Sequence, residues 1–209
     1  MCNHSYCALF SRIVEYATFI TTGDCLVDTF EIVAEISDAT VTPAIEALQA
    51  AVEGNEIKIH LPYNVGGSVS SAVNLITAVD ETVATVIIEL DRYAISAAAF
   101  IWAWFFLRPK ANVTVQTTGE PAVLVYHRPR IPVDDHLLFI DDLIDGHDLK
   151  DSLQEATELF DELFEELIAA IGYVGDNEAI YDYQSVQIKH KFKHARDGYY
   201  LNQDCVIPA

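Results

Sequence analysis

Between Val83 and Leu107 the chain passes through two mostly apolar stretches separated by Asp91-Arg92. The first, Val83–Leu90, is a continuous run rich in β-branched residues, which predicts a buried strand flanked on both faces. The second, Tyr93–Leu107, lies between Arg92 and Arg108 and is apolar on every side of a helical wheel. Such a helix belongs inside a protein core, because no face of it is suited to water. A bilayer span needs about 20 residues, so this run is too short to be one. A fully buried strand leading into a fully buried helix requires layers of both kinds around one core.

The surrounding segments repeat that alternation. Ala17–Thr21 is short and β-branched and ends at a Gly23-Asp24 turn. Phe30–Ala51 has apolar residues at helical intervals, with Pro43 placed to open a second helix. Glu56–Leu61 alternates polar and apolar residues, the mark of a strand, and Pro62–Gly67 breaks it before a helix over Ser68–Val79. Val113–Val115 and Ala122–Tyr126 are the next strands. Repeated strand–helix units with short turns predict an α/β fold with a parallel or mostly parallel sheet. In such sheets chemistry gathers where strands end and helices begin. Two junctions qualify, Tyr63–Ser68 and Arg92–Ala97.

Charge excludes several functions. The 209 residues carry 12 Lys and Arg against 32 Asp and Glu, a net charge of −20. Nucleic-acid binding needs a cationic surface, as does adhesion to an anionic membrane. With 51% apolar residues the chain has material for a sizeable core and is not a disordered acidic protein. Met1–Phe10 holds no Lys or Arg ahead of an apolar run, so no secretory leader is expected. Cys2, Cys7, Cys25 and Cys205 lack the spacing of a disulfide framework, and a cytoplasmic protein with reduced thiols is expected.

After residue 133 the texture changes. Residues 134–166 contain 13 acids and one base, Lys150, while Leu153, Leu159, Phe160, Leu163, Phe164, Leu167 and Ile168 form a stripe. The division expected is a head over residues 1–133 and an acidic helical handle with a completing C-terminal segment over 134–209. So one-sided a helix suggests a projecting arm or an oligomer contact. The tail then gathers Lys189, Lys191, Lys193 and Arg196 with His190 and His194. Those two histidines are spaced to share a helix face, but the surrounding lysines oppose a metal ion. No metal site is expected there or at Cys2, His4 and Cys7, and no cofactor is called for.

Individually, the polar candidates have plain structural readings. Gly66-Gly67 makes a tight turn whose N–H groups would suit a phosphate or an oxyanion at a helix start. Ser96 stands where an apolar helix begins, as a cap or as an exposed nucleophile. His127 ends a strand and could act as a base near neutral pH.

Taken in order, Gly66-Gly67-Ser68-Val69, Ser96-Ala97-Ala98-Ala99-Phe100 and Tyr126-His127-Arg128-Pro129 resemble the Clp protease proteolytic subunit (ClpP) family. That family carries Asn-Ser-Pro-Gly-Gly-Ser-Val, Ala-Ser-Met-Gly-Ala-Phe and Ile-His-Gln-Pro in the same order. The resemblance runs from about Ala17 to Pro129 and is nearest to divergent phage and prophage members. It departs at Tyr63-Asn64-Val65, which replaces Asn-Ser-Pro, and after Pro129, where Arg130-Ile131-Pro132 replaces a glycine-rich stretch.

The resemblance implies a ClpP/crotonase-like ββα spiral with a helical handle, here Leu153–Ile171. It implies a serine endopeptidase with Ser96 as nucleophile, His127 as general base, and the N–H groups of Gly67 and Ala97 as oxyanion hole. Asp197, in Asp197-Gly198-Tyr199-Tyr200, is the closest match to the acid, with Asp176 as rival. It further implies a homo-oligomeric ring, a heptamer or stacked double ring, fed with polypeptide by an AAA+ unfoldase in the cytoplasm, or the host cytoplasm if phage-encoded. Two alternatives stand beside it: a catalytically silent ring subunit, and a crotonase-type acyl-CoA enzyme.

Overall fold

The computed structural model describes residues 27–170 and 183–209. The expected strand at residues 17–21, Asp176, and Cys2, His4 and Cys7 lie outside the described residues. In chain order come β1 (Asp28–Glu31), β2 (Ala34–Ile36), α1 (Asp38–Ala50), β3 (Glu56–Gly67), α2 (Val69–Glu81) and β4 (Thr85–Ile95). They are followed by α3 (Ala97–Leu107), β5 (Val113–Thr117), β6 (Val123–Tyr126), the hairpin β7 (Ile131–Val133) and β8 (His136–Leu138), α4 (Lys150–Ala170), α5 (Tyr183–Tyr200) and β9 (Cys205–Pro208).

The fold is mixed α/β around a mostly parallel sheet. Two long strands, β3 and β4, form its spine, and each is flanked by two short strands in succession. Along β3 these are β1, paired at residues 57–60, then β2, paired at Asn64 and Gly67. Along β4 they are β5 at residues 86–90, then β6 at 93–95. Among the described residues only β9, beside β6, runs antiparallel in this sheet.

Several elements differ from expectation for local reasons. The apolar residues of 30–36 fit a strand as well as a helix, and pairing with β3 makes them strands. Helix α1 therefore starts at Asp38, where Thr40 Oγ1 accepts the Ser37 N–H at 2.9 Å. Pro43 lies inside this helix rather than opening another, at the cost of one backbone hydrogen bond. Pro62 does not end β3: the strand continues to Gly67 with a register shift between Leu61 and Tyr63, where a missing N–H is tolerated. Strand β4 likewise runs on to Ile95, which confines the turn into α3 to one residue.

One face of the sheet is apolar. Ile57, Ile59 and Leu61 of β3 and Val86, Ile88 and Leu90 of β4 are buried there, under a core that includes Ala97–Ala103 of α3. The other face is not the apolar layer expected for Val83–Leu90. Among the described residues it carries Lys58, His60, Glu89, Asp91 and Gln116. Lys58 Nζ donates to Glu89 Oε1 at 2.8 Å and Gln116 Nε2 to Oε2 at 2.6 Å. The Lys58 contact holds the Glu89 carboxyl below its usual range despite burial.

The acidic helix is the largest correction. Its stripe does not await a partner: Leu153, Phe160, Leu163, Phe164, Leu167 and Ile168 are buried within the chain. Phe160 stacks on Phe100 of α3 at 4.5 Å, and Phe164 on Tyr199 of α5 at 3.8 Å. Tyr126 of β6 joins them, its hydroxyl donating to the Phe160 carbonyl at 3.2 Å. Residues on both sides of position 133 thus share one core.

Candidate active site

The junction between β4 and α3 is fixed before the serine is reached. Ala94 and Ile95 pair with Leu124 and Val125 of β6, and the Ser96 N–H donates to the Val125 carbonyl at 2.9 Å. Helix α3 begins at the next residue, so Ser96 alone absorbs the reversal, at φ 55° and ψ −122°. A side chain rarely adopts positive φ, and the cost of order 1–3 kcal/mol is borne only where the surroundings leave no choice. Ser96 occupies the helix N-cap position but its hydroxyl makes no capping hydrogen bond.

The glycine pair closes on this turn. A Cβ on Gly66, at φ 87°, would lie 2.6 Å from both the Ile95 carbonyl oxygen and the Ser96 Cβ. A Cβ on Gly67, at φ 143°, would run into the Ile36 carbonyl oxygen. Only glycine lets β3 approach Ser96 and β2 so closely. Asn64, absent from the sequence-based candidates, organises the approach. Fully buried, it donates from Nδ2 to the Ile32 carbonyl at 3.0 Å and accepts the Gly66 N–H at Oδ1 at 2.9 Å. A polar residue just ahead of Gly-Gly was the available signal.

His127 directly follows β6 and is 4% exposed. Its Nδ1 lies 2.8 Å from the carbonyl oxygen of Arg128. A carbonyl only accepts, so neutral His127 carries its proton on Nδ1 and presents a lone pair at Nε2. Burial pushes the ring's pKa down, aided by the positive charge of Arg130; the Arg128 carbonyl and Asp204 oppose this without reversing it. Arg128 is itself clamped. Nε and Nη2 donate to the two carboxylate oxygens of Asp161 on α4, at 3.0 and 2.6 Å, and the guanidinium lies 4.8 Å from the Tyr200 ring centroid.

The structure brings Ser96, Ala97, Gly66 and Gly67 together, with His127 two residues beyond Val125, the Ser96 partner on β6. It does not bring Asp197 to them. Asp197 is half-exposed on α5, 3.8 Å from Lys193 in the preceding turn, and the charged groups that act on His127 are Arg130 and Asp204. The tyrosines that follow Asp197 serve packing and the Arg128 clamp. No hydrogen bond joins the Ser96 hydroxyl to the His127 ring.

Beside Ser96 opens a cavity of about 210 Å³, lined by Gly67, Val69, Pro129, Arg130 and Leu153 among others. It adjoins a groove of about 540 Å³ between α2 and α4, with Val69, Ser152 and Ala156 common to both. Among the described residues no cluster of His, Cys, Asp and Glu is placed to hold a metal ion, and no helix is long and apolar enough to cross a membrane. Fold and site define an α/β domain that offers a serine at a strained strand-to-helix turn beside a glycine pair, with a buried histidine at the end of the neighbouring strand. Neither a protein-family model nor a curated protein matches the chain.

Proposed function

We propose that the protein is a serine endopeptidase of the ClpP type, with Ser96 as nucleophile and His127 as base. The observation that carries this reading is the backbone of Ser96. Positive φ at a non-glycine residue, locked between β6 and a glycine pair, holds a hydroxyl free of capping duty at a helix start. In the reaction His127 Nε2 takes the Ser96 proton as Oγ attacks the peptide carbonyl, and the N–H groups of Gly67 and Ala97 receive the developing charge. The imidazolium then returns its proton to the leaving amine, and water repeats the cycle on the acyl-enzyme. The Arg128 carbonyl fills the role given elsewhere to an acid, fixing the tautomer and facing the imidazolium with a dipole.

The paired short strands along β3 and β4 support the finer proposal of a ClpP/crotonase-like ββα spiral. Ring assembly, an unfoldase partner and a cytoplasmic place belong to the same proposal. The buried stripe of α4 leaves the subunit contact to other surfaces. A second reading, a silent ring subunit, draws on the missing Ser96–His127 hydrogen bond and on Asp197, which pairs with Lys193 instead. The test is labelling by a fluorophosphonate probe at neutral pH. Labelling of the wild type that is lost in Ser96→Ala and His127→Ala supports the peptidase. Folded wild-type protein that stays unlabelled leaves the silent subunit.

A further inference from the structure

The cavity beside Ser96 holds a charge that the proposed mechanism does not use. Arg130 stands in its lining, in a chain where acids outnumber bases 32 to 12. Its neighbours there, Gly67, Val69, Pro129, Ile131 and Leu153, are uncharged. Its side chain is 24% exposed, enough for a ligand to reach and enough shielding for the charge to count. Asp204 engages only one terminal nitrogen, with Nη1 donating to Oδ1 at 3.0 Å, and is itself 49% exposed. Nε and Nη2 make no hydrogen bond among the described residues, so the planar fork keeps donors for a second acceptor.

We infer that Arg130 makes the Ser96 cavity selective for a substrate carboxylate. This rests on the peptidase reading, since a polypeptide's anionic groups are carboxylates: the side chains of Asp and Glu, or a free C-terminus. A carboxylate accepts two N–H groups of a guanidinium side by side, whereas the matching amide offers one neutral acceptor and an NH₂ that meets donors. The apolar walls contact the methylenes behind the charged head. Arg130 is a specificity residue here, touching the substrate away from the reacting bond.

The experiment uses the full chain carrying Ser96→Ala, so that bound peptides are not turned over. Short fluorescent peptides are compared by polarisation at low salt: one containing Glu, its Gln counterpart, and each with a free or amidated C-terminus. The carboxylate-bearing member of a pair is expected to bind about tenfold tighter. Adding Arg130→Gln should bring that ratio to about one, and Arg130→Lys should restore part of it, which separates lost charge from lost fold. A preference for Glu under an amidated end assigns the side chain; a preference for the free end alone assigns the terminus. Equal binding across all pairs, or a ratio that survives Arg130→Gln, overturns the assignment. The fluorophosphonate experiment reads Ser96 and His127 alone: labelling with no carboxylate preference sinks only this inference, and preference without labelling sinks only the peptidase.

Discussion

Two serines stand at equivalent places, each between a long central strand and the helix that follows it. Ser68 links β3 to α2 at φ −64° and ψ 119°, its hydroxyl accepting the Ser71 N–H at 3.1 Å. Ser71 in turn donates to Asp38 of α1 at 2.6 Å, so the whole turn is tied into the helical layer. Ser96 links β4 to α3 with inverted φ, and only its backbone is engaged. The same residue type at the same topological position thus acts once as a helix cap and once as a group withheld from capping. Position in the fold nominates a serine, and the state of its hydroxyl distinguishes chemistry from architecture.

Substitution should separate the pair sharply. Ser96→Ala removes the proposed nucleophile, and fluorophosphonate labelling should fall at least 10³-fold, while Ser68→Ala should still label. If both variants labelled alike, the contrast would be wrong. His127→Ala should lower the labelling rate by about 10²–10⁴-fold with the fold kept, read by circular dichroism beside the labelling. The turn itself is probed at Gly66. Gly66→Ala puts a methyl against the Ile95 carbonyl and the Ser96 Cβ at positive φ, and should cost about 2–4 kcal/mol in urea unfolding as well as labelling. Ser68→Ala should cost about 1 kcal/mol, the ordinary loss of a helix cap, seen as a few degrees of melting temperature.

The smallest effect is on pH. The base must be neutral, and burial places the His127 pKa below the ordinary value of about 6.5. Labelling by a peptide-sized probe should therefore hold as pH falls through 6.5 and decline only at lower pH. A midpoint above 6.5 would contradict the buried, carbonyl-bound ring. The stability contribution has a definite sign. The unfolded chain takes up this proton first, so acidification below about 6.5 costs stability until the folded ring also protonates.

Much of this was legible in the chain itself. Most of Tyr93–Leu107 had to be buried, and Ala97–Ala103 and Phe105 are, while Phe106 stays half exposed; both strand–helix junctions followed from the change of period at Gly66-Gly67 and Ser96. Residues 30–36 were not legible, since their apolar spacing suits two periods and pairing with β3 decides between them. The stripe of α4 was visible, but an amphipathic pattern shows that a face must be covered without showing by what; Phe100, Tyr126 and Tyr199 supply the answer in three dimensions. Asp197 was chosen for the Tyr199-Tyr200 that follows it, and in three dimensions those two side chains pack on Phe164 and around Arg128. Asn64 was read as a departure from a pattern, although its amide holds the glycine turn in place.

The clamp on Arg128 has a mechanical consequence. His127 stands between two fixed points: it follows Tyr126 of β6, and on its other side one peptide bond joins it to a residue bolted through Asp161 to α4, on whose carbonyl its ring leans. A slip of α4 by about 1 Å would pull on the proposed base from one side, and displacements of that size cost about 10² in rate. On the peptidase reading, gentle heat or dilute denaturant that loosens α4 should abolish labelling while the sheet is still intact.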